Sequence, residues 1–545
     1  MSLPPETRAL PPSPANIAGL LNEAQMRLRR GDLPGAADFA QAVLRAEPRR
    51  AEAWVTLCAA LMRMGSADDD RALGDALAAL PETDPAYTLL AIERCRVLAN
   101  RGRCGEAVEL GRRVSALGRM GPRQHDVLSN AYTTSSLFED ALAHAEEAVK
   151  HMPQDPAAFY NRALAHRHLG HIDDAVFGFE KLLTFAPGHA LAYYSLSDCR
   201  KWTPDRNHID QIQAALRSGP LADLDRTRLC YALFKEAHDI GDHALAWSSL
   251  SEGARLAHAS APYAYEDRRA YTESLIKRFS GGLDQPPTDT GGVTPIFIVG
   301  LPRSGTTLVE RIFSAHPDVT DMGETHGLAL AIRDALELSR FGDLDLNTVA
   351  GMGGIDWSKV AAFYLRGLEY RGATTRFFTE KLPQNYHLVG AMRRAFPQAR
   401  IVHLRRAPMD SLFGAYKILF GESSYTWSYR FEDLASAYGL YRQLTDHWRA
   451  ELGDVFVEVT LEKLIADPET EIRALLAKSG LSFHEDCLSP HKARGGVSTA
   501  SSTQVRSPIN SQGVGAWRTY ETEFEPLRER LEQLGFVDAA GDPVW

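Results

Sequence analysis

The sequence is poor in the features that would cross-link or anchor it. Its six cysteines (Cys58, Cys95, Cys104, Cys199, Cys230 and Cys487) are scattered over 545 residues with no CxxC pair. That spacing argues against a zinc site or a disulfide framework and for buried free thiols in a reducing compartment. No run of about 18 apolar residues occurs, so no membrane span is expected. The opening Met-Ser-Leu-Pro-Pro-Glu-Thr-Arg lacks the apolar stretch of a secretory signal, and the cytoplasm is the expected compartment. A net charge of −10 argues against a broad nucleic-acid surface but leaves room for a local basic pocket. No metal-ligand cluster is legible, so no metal is expected. What remains, 44% apolar and 24% charged, is an ordinary globular composition long enough for about two to four domains.

Residues 1–15 hold five prolines and read as a disordered lead-in. Beyond them a glycine followed five residues later by an alanine recurs at Gly31/Ala36, Gly102/Ala107, Gly170/Ala175 and Gly241/Ala246, with Ser136/Ala141 as a serine variant. Ala107, Ala141 and Ala175 are spaced by 34 residues, as are Pro153 and Pro187, and Pro48 closes an earlier unit. The glycine allows a turn between two helices, the alanine lets them approach, and the proline ends the unit. The pattern resembles the tetratricopeptide (TPR) repeat. Its best copy is 154–187, with Phe159, Gly170, Ala175, Phe179 and Pro187, and its poorest match is 66–72. Repeats are expected over 16–200, a helical continuation of the solenoid over 201–280, and a linker rich in glycine and proline over 281–292. Such a stack offers a groove to a peptide or partner protein, with Asn130, Tyr132, Asn161, Arg162 and Tyr194 as exposed candidates. A spacer or a dimerisation arm fits the same pattern.

Residues 293–308 read Val-Thr-Pro-Ile-Phe-Ile-Val-Gly-Leu-Pro-Arg-Ser-Gly-Thr-Thr-Leu: an apolar strand, a tight loop and a helix start. Gly300 and Gly305 have P-loop spacing, but Thr306 stands where a nucleotide triphosphatase needs its lysine. The loop can still hold an anion through backbone N–H groups, Arg303, Ser304, Thr306 and Thr307. Over 293–545 short strands at 294–300, 375–379, 400–405 and 454–459 alternate with helices at 305–315, 324–338, 384–395, 408–420, 432–450 and 466–479. That alternation predicts an α/β domain with a parallel sheet, following the all-α repeats. Its ligand is expected beyond the carboxyl ends of the strands, where the loops after 300, 379 and 405 converge. Those loops carry Arg303-Ser-Gly-Thr-Thr, Glu380-Lys381-Leu-Pro-Gln-Asn and Arg405-Arg406.

Five ordered segments make the C-terminal half resemble the sulfotransferase family, most of all the tyrosylprotein sulfotransferase branch as found in bacterial TPR-linked proteins. They are Pro-Arg303-Ser-Gly-Thr-Thr-Leu, Gly323-Glu324-Thr325, Glu380-Lys381-Leu-Pro-Gln-Asn, Phe396-Pro-Gln-Ala-Arg-Ile-Val-His-Leu-Arg-Arg406-Ala-Pro-Met-Asp and Thr499-Ala-Ser-Ser-Thr-Gln-Val-Arg506-Ser-Pro-Ile-Asn. The resemblance implies 3′-phosphoadenosine-5′-phosphosulfate (PAPS) as donor. It places the 5′-phosphosulfate on Arg303, Ser304, Gly305, Thr306 and Thr307, and the 3′-phosphate on Arg406. Ser502, Gln504 and Arg506 would close over the nucleotide, and Trp517 with Arg518 would flank it. Glu324 matches the catalytic base, with His326 and His316 as rivals, and Lys381 and Ser501 match groups that stabilise the transferring sulfuryl.

Elementary chemistry supports part of this. A carboxylate in a partly dry site can take the proton of an attacking hydroxyl, and a cation where negative charge develops is a large catalytic effect. Glu324 could equally be a charge at a helix N-terminus, and Lys381 a counter-ion for Glu380 or Glu324. The sequence also departs from the family. Gly414 stands where a serine follows the 3′-phosphate arginine, with Ser411 as candidate substitute. Leu461 stands where an aromatic ring contacts adenine, and Ala407 replaces a polar residue. Each loss is worth about 1 kcal/mol of donor binding. Two readings stay open: a PAPS-dependent sulfotransferase whose hydroxyl acceptor is a peptide tyrosine, a sugar or a small phenol, and a repeat scaffold carrying a weakened nucleotide-binding domain.

Overall fold

The computed structural model describes residues 14–66, 68–283, 292–338, 344–372, 375–421, 425–493, 505 and 507–545. Most of the expected lead-in and linker, and Ser501, Ser502, Gln504 and Arg506, lie outside the described residues. The chain forms two compact units, one through His151 and one from Met152.

The first unit is built of helical hairpins from Pro14–Arg30 and Leu33–Ala46 to Pro122–Thr134 and Phe138–His151. Its turns follow the repeat pattern. Gly31 and Gly102 have φ of 84° and 74°, and Ser136 adopts 58° in the same place. Ala36, Ala107 and Ala141 are fully buried where paired helices meet. A short helix, Asp69–Ala79, occupies the poorly matching stretch. Tyr132 differs from expectation: it is 2% exposed, because its ring fills the space left by Gly111, where a Cβ would lie 2.7 Å from its hydroxyl.

The second unit begins with the best repeat copy, Pro156–Leu169 and Ile172–Phe185. Gly170 turns the chain at φ 84°, and Gly178 lets Ala163 approach, since a Cβ there would come within 2.9 Å of it. Helices Asp223–Ile240, His243–Ser260 and Tyr265–Phe279 then share one apolar core with the α/β region. Tyr231 and Phe279 pack in the cluster that also holds Phe297, Trp448 and Phe524. Tyr231 donates to the Tyr416 carbonyl at 3.3 Å, and His238 bonds the Tyr520 hydroxyl at 2.9 Å. Among the described residues no helix is long and apolar enough to cross a membrane.

Five parallel strands follow: β1 (Thr294–Gly300), β2 (Val319–Asp321), β3 (Phe377–Lys381), β4 (Arg400–Arg405) and β5 (Phe456–Thr460), in the order β2-β3-β1-β4-β5. Period-two alternation sends Phe297 and Val299 into one core and Ile296 and Ile298 into the other, so both faces are covered. β1 is central, with β3 and β4 on either side, and the crevice of such a sheet opens at their carboxyl ends. β3 ends two residues later than expected. Glu380 and Lys381 are strand residues in register with Phe297 and Ile298 rather than part of a loop; their charges are tolerated in the sheet because each finds buried polar partners. Strand β2 and helices Leu346–Gly351 and Trp357–Leu368 add to the expected elements.

Candidate active site

The phosphate-type loop is held in shape from three sides. Gly300 cannot carry a side chain, because a Cβ would lie 2.8 Å from the Leu404 carbonyl oxygen across the β1–β4 pair. Gly305 has φ 101° and lies against Leu461, whose Cδ1 would be 2.8 Å from a Cβ. Leu461 thus packs under the loop at the place where the family resemblance puts an aromatic ring. Arg303 holds φ 67°, a conformation that costs a side-chain-bearing residue about 1–2 kcal/mol. Arg406 stabilises it by donating from Nη1 to the Arg303 carbonyl at 2.7 Å. Helix Thr306–Ser314 then begins with Thr306 and Thr307 buried at its first turn, and its N-terminal amides face the loop. The Ser304 hydroxyl donates to the Leu301 carbonyl at 2.7 Å and so braces the turn.

The second wall is the end of β3. Lys381 is fully buried. Its ammonium bonds Glu324 and lies 3.6 Å from Glu310 on helix Thr306–Ser314. Burial works against its charge, but Glu310 and Glu324 outweigh burial and hold it above the ordinary lysine value. Glu310 is 3% exposed. Burial raises its pKa well above the ordinary carboxyl range, and the neighbouring Asp321 and Glu324 raise it further against the pull of Lys381. Nothing in the sequence singled out Glu310, although a glutamate beside Val309, Ile312 and Phe313 on a helix following a buried strand is a legible signal.

Glu324 itself lies in the exposed turn after β2, three residues before helix Gly327–Ala335. It is therefore an open carboxylate in contact with a buried lysine rather than a first-turn charge. Its rivals differ. His316 is buried, accepting from the Asp318 N–H at 3.1 Å and bonding the Ser482 carbonyl at 3.0 Å, so both ring nitrogens are engaged. His326 is exposed at the N-terminus of helix Gly327–Ala335. Glu380 points to the other side of β3, where Thr325 and Asn385 donate to it at 2.8 and 2.7 Å and the Tyr364 hydroxyl bonds the same carboxyl.

The third wall follows β4. Arg406 also bonds the Gly513 carbonyl, and burial lowers its pKa. Arg303 is lowered by burial first, then by the nearby Arg406. Ser411 is buried on helix Pro408–Tyr416 and borders a narrow cavity with Ser304, Arg405 and Arg406. Gly414, on the same helix, rests against the loop, where a Cβ would lie 2.9 Å from the Arg303 Cβ. Asp410 accepts from the Gly515 N–H at 2.7 Å and the Trp517 N–H at 3.4 Å, which ties the C-terminal segment to this helix. Trp517 is buried against Gly541. Arg518 covers the Trp517 ring and is bonded to Glu521, the Ala540 carbonyl and Asp542.

The structure therefore brings Arg303 to Thr307, Glu324, Lys381, Arg406 and Ser411 around the strand ends, and engages Trp517 and Arg518 in the packing of the C-terminal segment. This arrangement sets a phosphate-type loop without a lysine beside a carboxylate–lysine pair at the end of a neighbouring strand. Residues 295–485 match the model of the family described as "Sulfotransferase family". Over 275 residues the chain is 27% identical to Protein-tyrosine sulfotransferase 1 of Danio rerio, a match covering 46% of this chain and 74% of that protein. It is 25% identical over 341 residues to an uncharacterized protein of Aquifex aeolicus, covering 60% of this chain and 44% of that one, so it spans less than half of that relative. Among solved structures, the sulfotransferase domain of the Synechococcus PCC 7002 olefin synthase is 19% identical and covers 43% of this chain and 97% of its own, with a TM-score of 0.27. The C-terminal region of this chain, which follows a helical-repeat region, is thus similar to the sulfotransferase family over residues 295–485.

Proposed function

We propose that the protein transfers a sulfuryl group from PAPS to a hydroxyl acceptor. The observation that carries this reading is the contact between buried Lys381 and open Glu324 beside a phosphate-type loop that has no lysine of its own. The loop amides with Arg303, Thr306 and Thr307 suit the 5′-phosphosulfate, and Arg406 the 3′-phosphate. Glu324 takes the proton as the acceptor oxygen bonds to sulfur and the sulfur–oxygen bond to the 5′-phosphate breaks. Lys381 supplies positive charge to the sulfuryl oxygens. A peptide tyrosine is the acceptor favoured by the likeness to protein-tyrosine sulfotransferases, with the repeats as its presenting surface.

The scaffold reading rested on Gly414 and Leu461. Both pack directly on the loop, which fits a retained site better than a decaying one. Thermal unfolding with adenosine 3′,5′-bisphosphate and with ATP tests the donor. At about 100 times its dissociation constant the bisphosphate should add about 2.7 kcal/mol of stability, with little effect of ATP and loss of the gain in Arg406→Ala. A larger shift with ATP would overturn the reading.

A further inference from the structure

Helix Pro408–Tyr416 approaches the loop so closely at Gly414 that no hydroxyl can be placed there. Three residues on, and so on the same face, stands Lys417 at the helix C-terminus, with its own N–H bonded to the Phe413 carbonyl at 3.2 Å. Its ammonium lies 4.7 Å above the Phe413 ring. Among the described residues no carboxylate is in ion-pair contact with it. The charges that face it are Arg303 after β1, Arg406 after β4 and Lys235 on helix Asp223–Ile240, opposed by Asp410 on its own helix. His238 of that same repeat-side helix also lies near it.

Among the described residues, these neighbours leave the Lys417 ammonium with no carboxylate in ion-pair contact. Lys235 is taken up by the Ser197 and Arg200 carbonyls and by Asp239. Asp410 accepts two backbone N–H groups. Burial, then Arg303 and Arg406, push Lys417 down to about 7. An enclosed cation is costly unless an anion completes it.

We infer that Lys417 grips the donor's 3′-phosphate together with Arg406, in the place of the hydroxyl that Gly414 cannot supply. The inference rests on the PAPS reading of the loop. A 3′-phosphate carries close to two negative charges and would complete the pair formed by Arg406 and Lys417. The site is then formed between the catalytic sheet and a helix of the repeat side, with Lys235 as the outer neighbour.

Calorimetric titration with adenosine 3′,5′-bisphosphate and with adenosine 5′-monophosphate separates this from the donor reading. Lys417→Met should weaken the bisphosphate about tenfold and leave the monophosphate unchanged, as loss of one charge-assisted bond to the 3′-phosphate requires. Lys417→Arg should stay within about threefold of the parent. Between about pH 7 and pH 9 the parent should lose affinity for the bisphosphate as Lys417 gives up its proton, whereas Lys417→Arg stays flat. His238 does not interfere in that range, because burial, Lys417 and His243 hold it down at about 4. Equal weakening of both nucleotides by Lys417→Met, or none, overturns the assignment while leaving the donor reading in place. A parent protein that binds neither nucleotide overturns both.

Discussion

Lys381 Nζ lies 3.6 Å from Glu310 Oε2 while the same ammonium bonds Glu324. One cation is thus shared by two carboxylates that come from the phosphate-loop helix and the turn after β2. A base tied to a lysine of its own would be weakened. Because Glu310 is buried, and Asp321 and Glu324 lie close, it is the carboxyl of the group that keeps a proton. Glu310→Gln should therefore retain turnover within a few fold, whereas Lys381→Met should lower it about 100- to 1,000-fold with bisphosphate affinity nearly unchanged. Steady-state transfer from PAPS to a phenolic acceptor, alongside nucleotide titration, checks both. Equal losses in the two variants would show that Glu310 acts as a carboxylate.

Glu324→Gln preserves shape and removes the base. We expect transfer to fall about 100- to 10,000-fold with the stabilisation by adenosine 3′,5′-bisphosphate intact. Normal transfer by Glu324→Gln, lost on adding His326→Ala, would move the role to the exposed imidazole two residues on.

Gly414→Ser tests the close approach of helix and loop. Its Cβ would sit 2.9 Å from the Arg303 Cβ, and Arg303 is backbone-bonded to Arg406, so neither side yields freely. Overpacking of this kind costs about 1–3 kcal/mol, and the loop should bind the bisphosphate more weakly. Denaturant unfolding and titration measure the two effects. A serine that strengthened nucleotide binding would mean that the helix can retreat and that Lys417 is not needed.

What the sequence revealed depended on how local the cause was. The turns at Gly31, Gly102, Ser136 and Gly170 were legible because a positive φ is a property of one residue, β1 because Ile296 to Val299 are four consecutive apolar residues, and β4 because Ile401, Val402 and Leu404 flank a single His403. Strand β2 has three residues, too few to show a period, and its place beside β3 is set by pairing with Phe377 to Thr379. Glu380 and Lys381 read as loop because charge ended the apolar run. Their partners, Thr325 and Glu324, stand far back in the chain and cannot be matched to them by spacing. The loop's shape, by contrast, was legible because its glycines, arginine and threonines are contiguous.

Glu380 gives the chain a pH dependence that can be isolated. Burial pushes its pKa from 4.5 to about 7, while the bonds from Tyr364, Thr325 and Asn385 limit the rise. Between those values the carboxyl is neutral in the folded protein and charged in the unfolded chain. Folding therefore takes up a proton, and the stability so gained is complete below about pH 4.5 and lost as the pH rises through about 7. The full swing is about 3 kcal/mol. Glu380→Gln stays neutral throughout. The stability of the parent relative to the variant should thus decline between about pH 5 and pH 7 and level off above that, as read from denaturant unfolding at each pH. The absolute stability of the variant is expected to be lower, because an amide cannot accept from Tyr364, Thr325 and Asn385 with both of its heavy atoms. A difference that stays constant over the whole range would mean that Glu380 is ionised in the folded protein. The Tyr364 and Asn385 bonds would then be stabilising a buried anion beside Lys381.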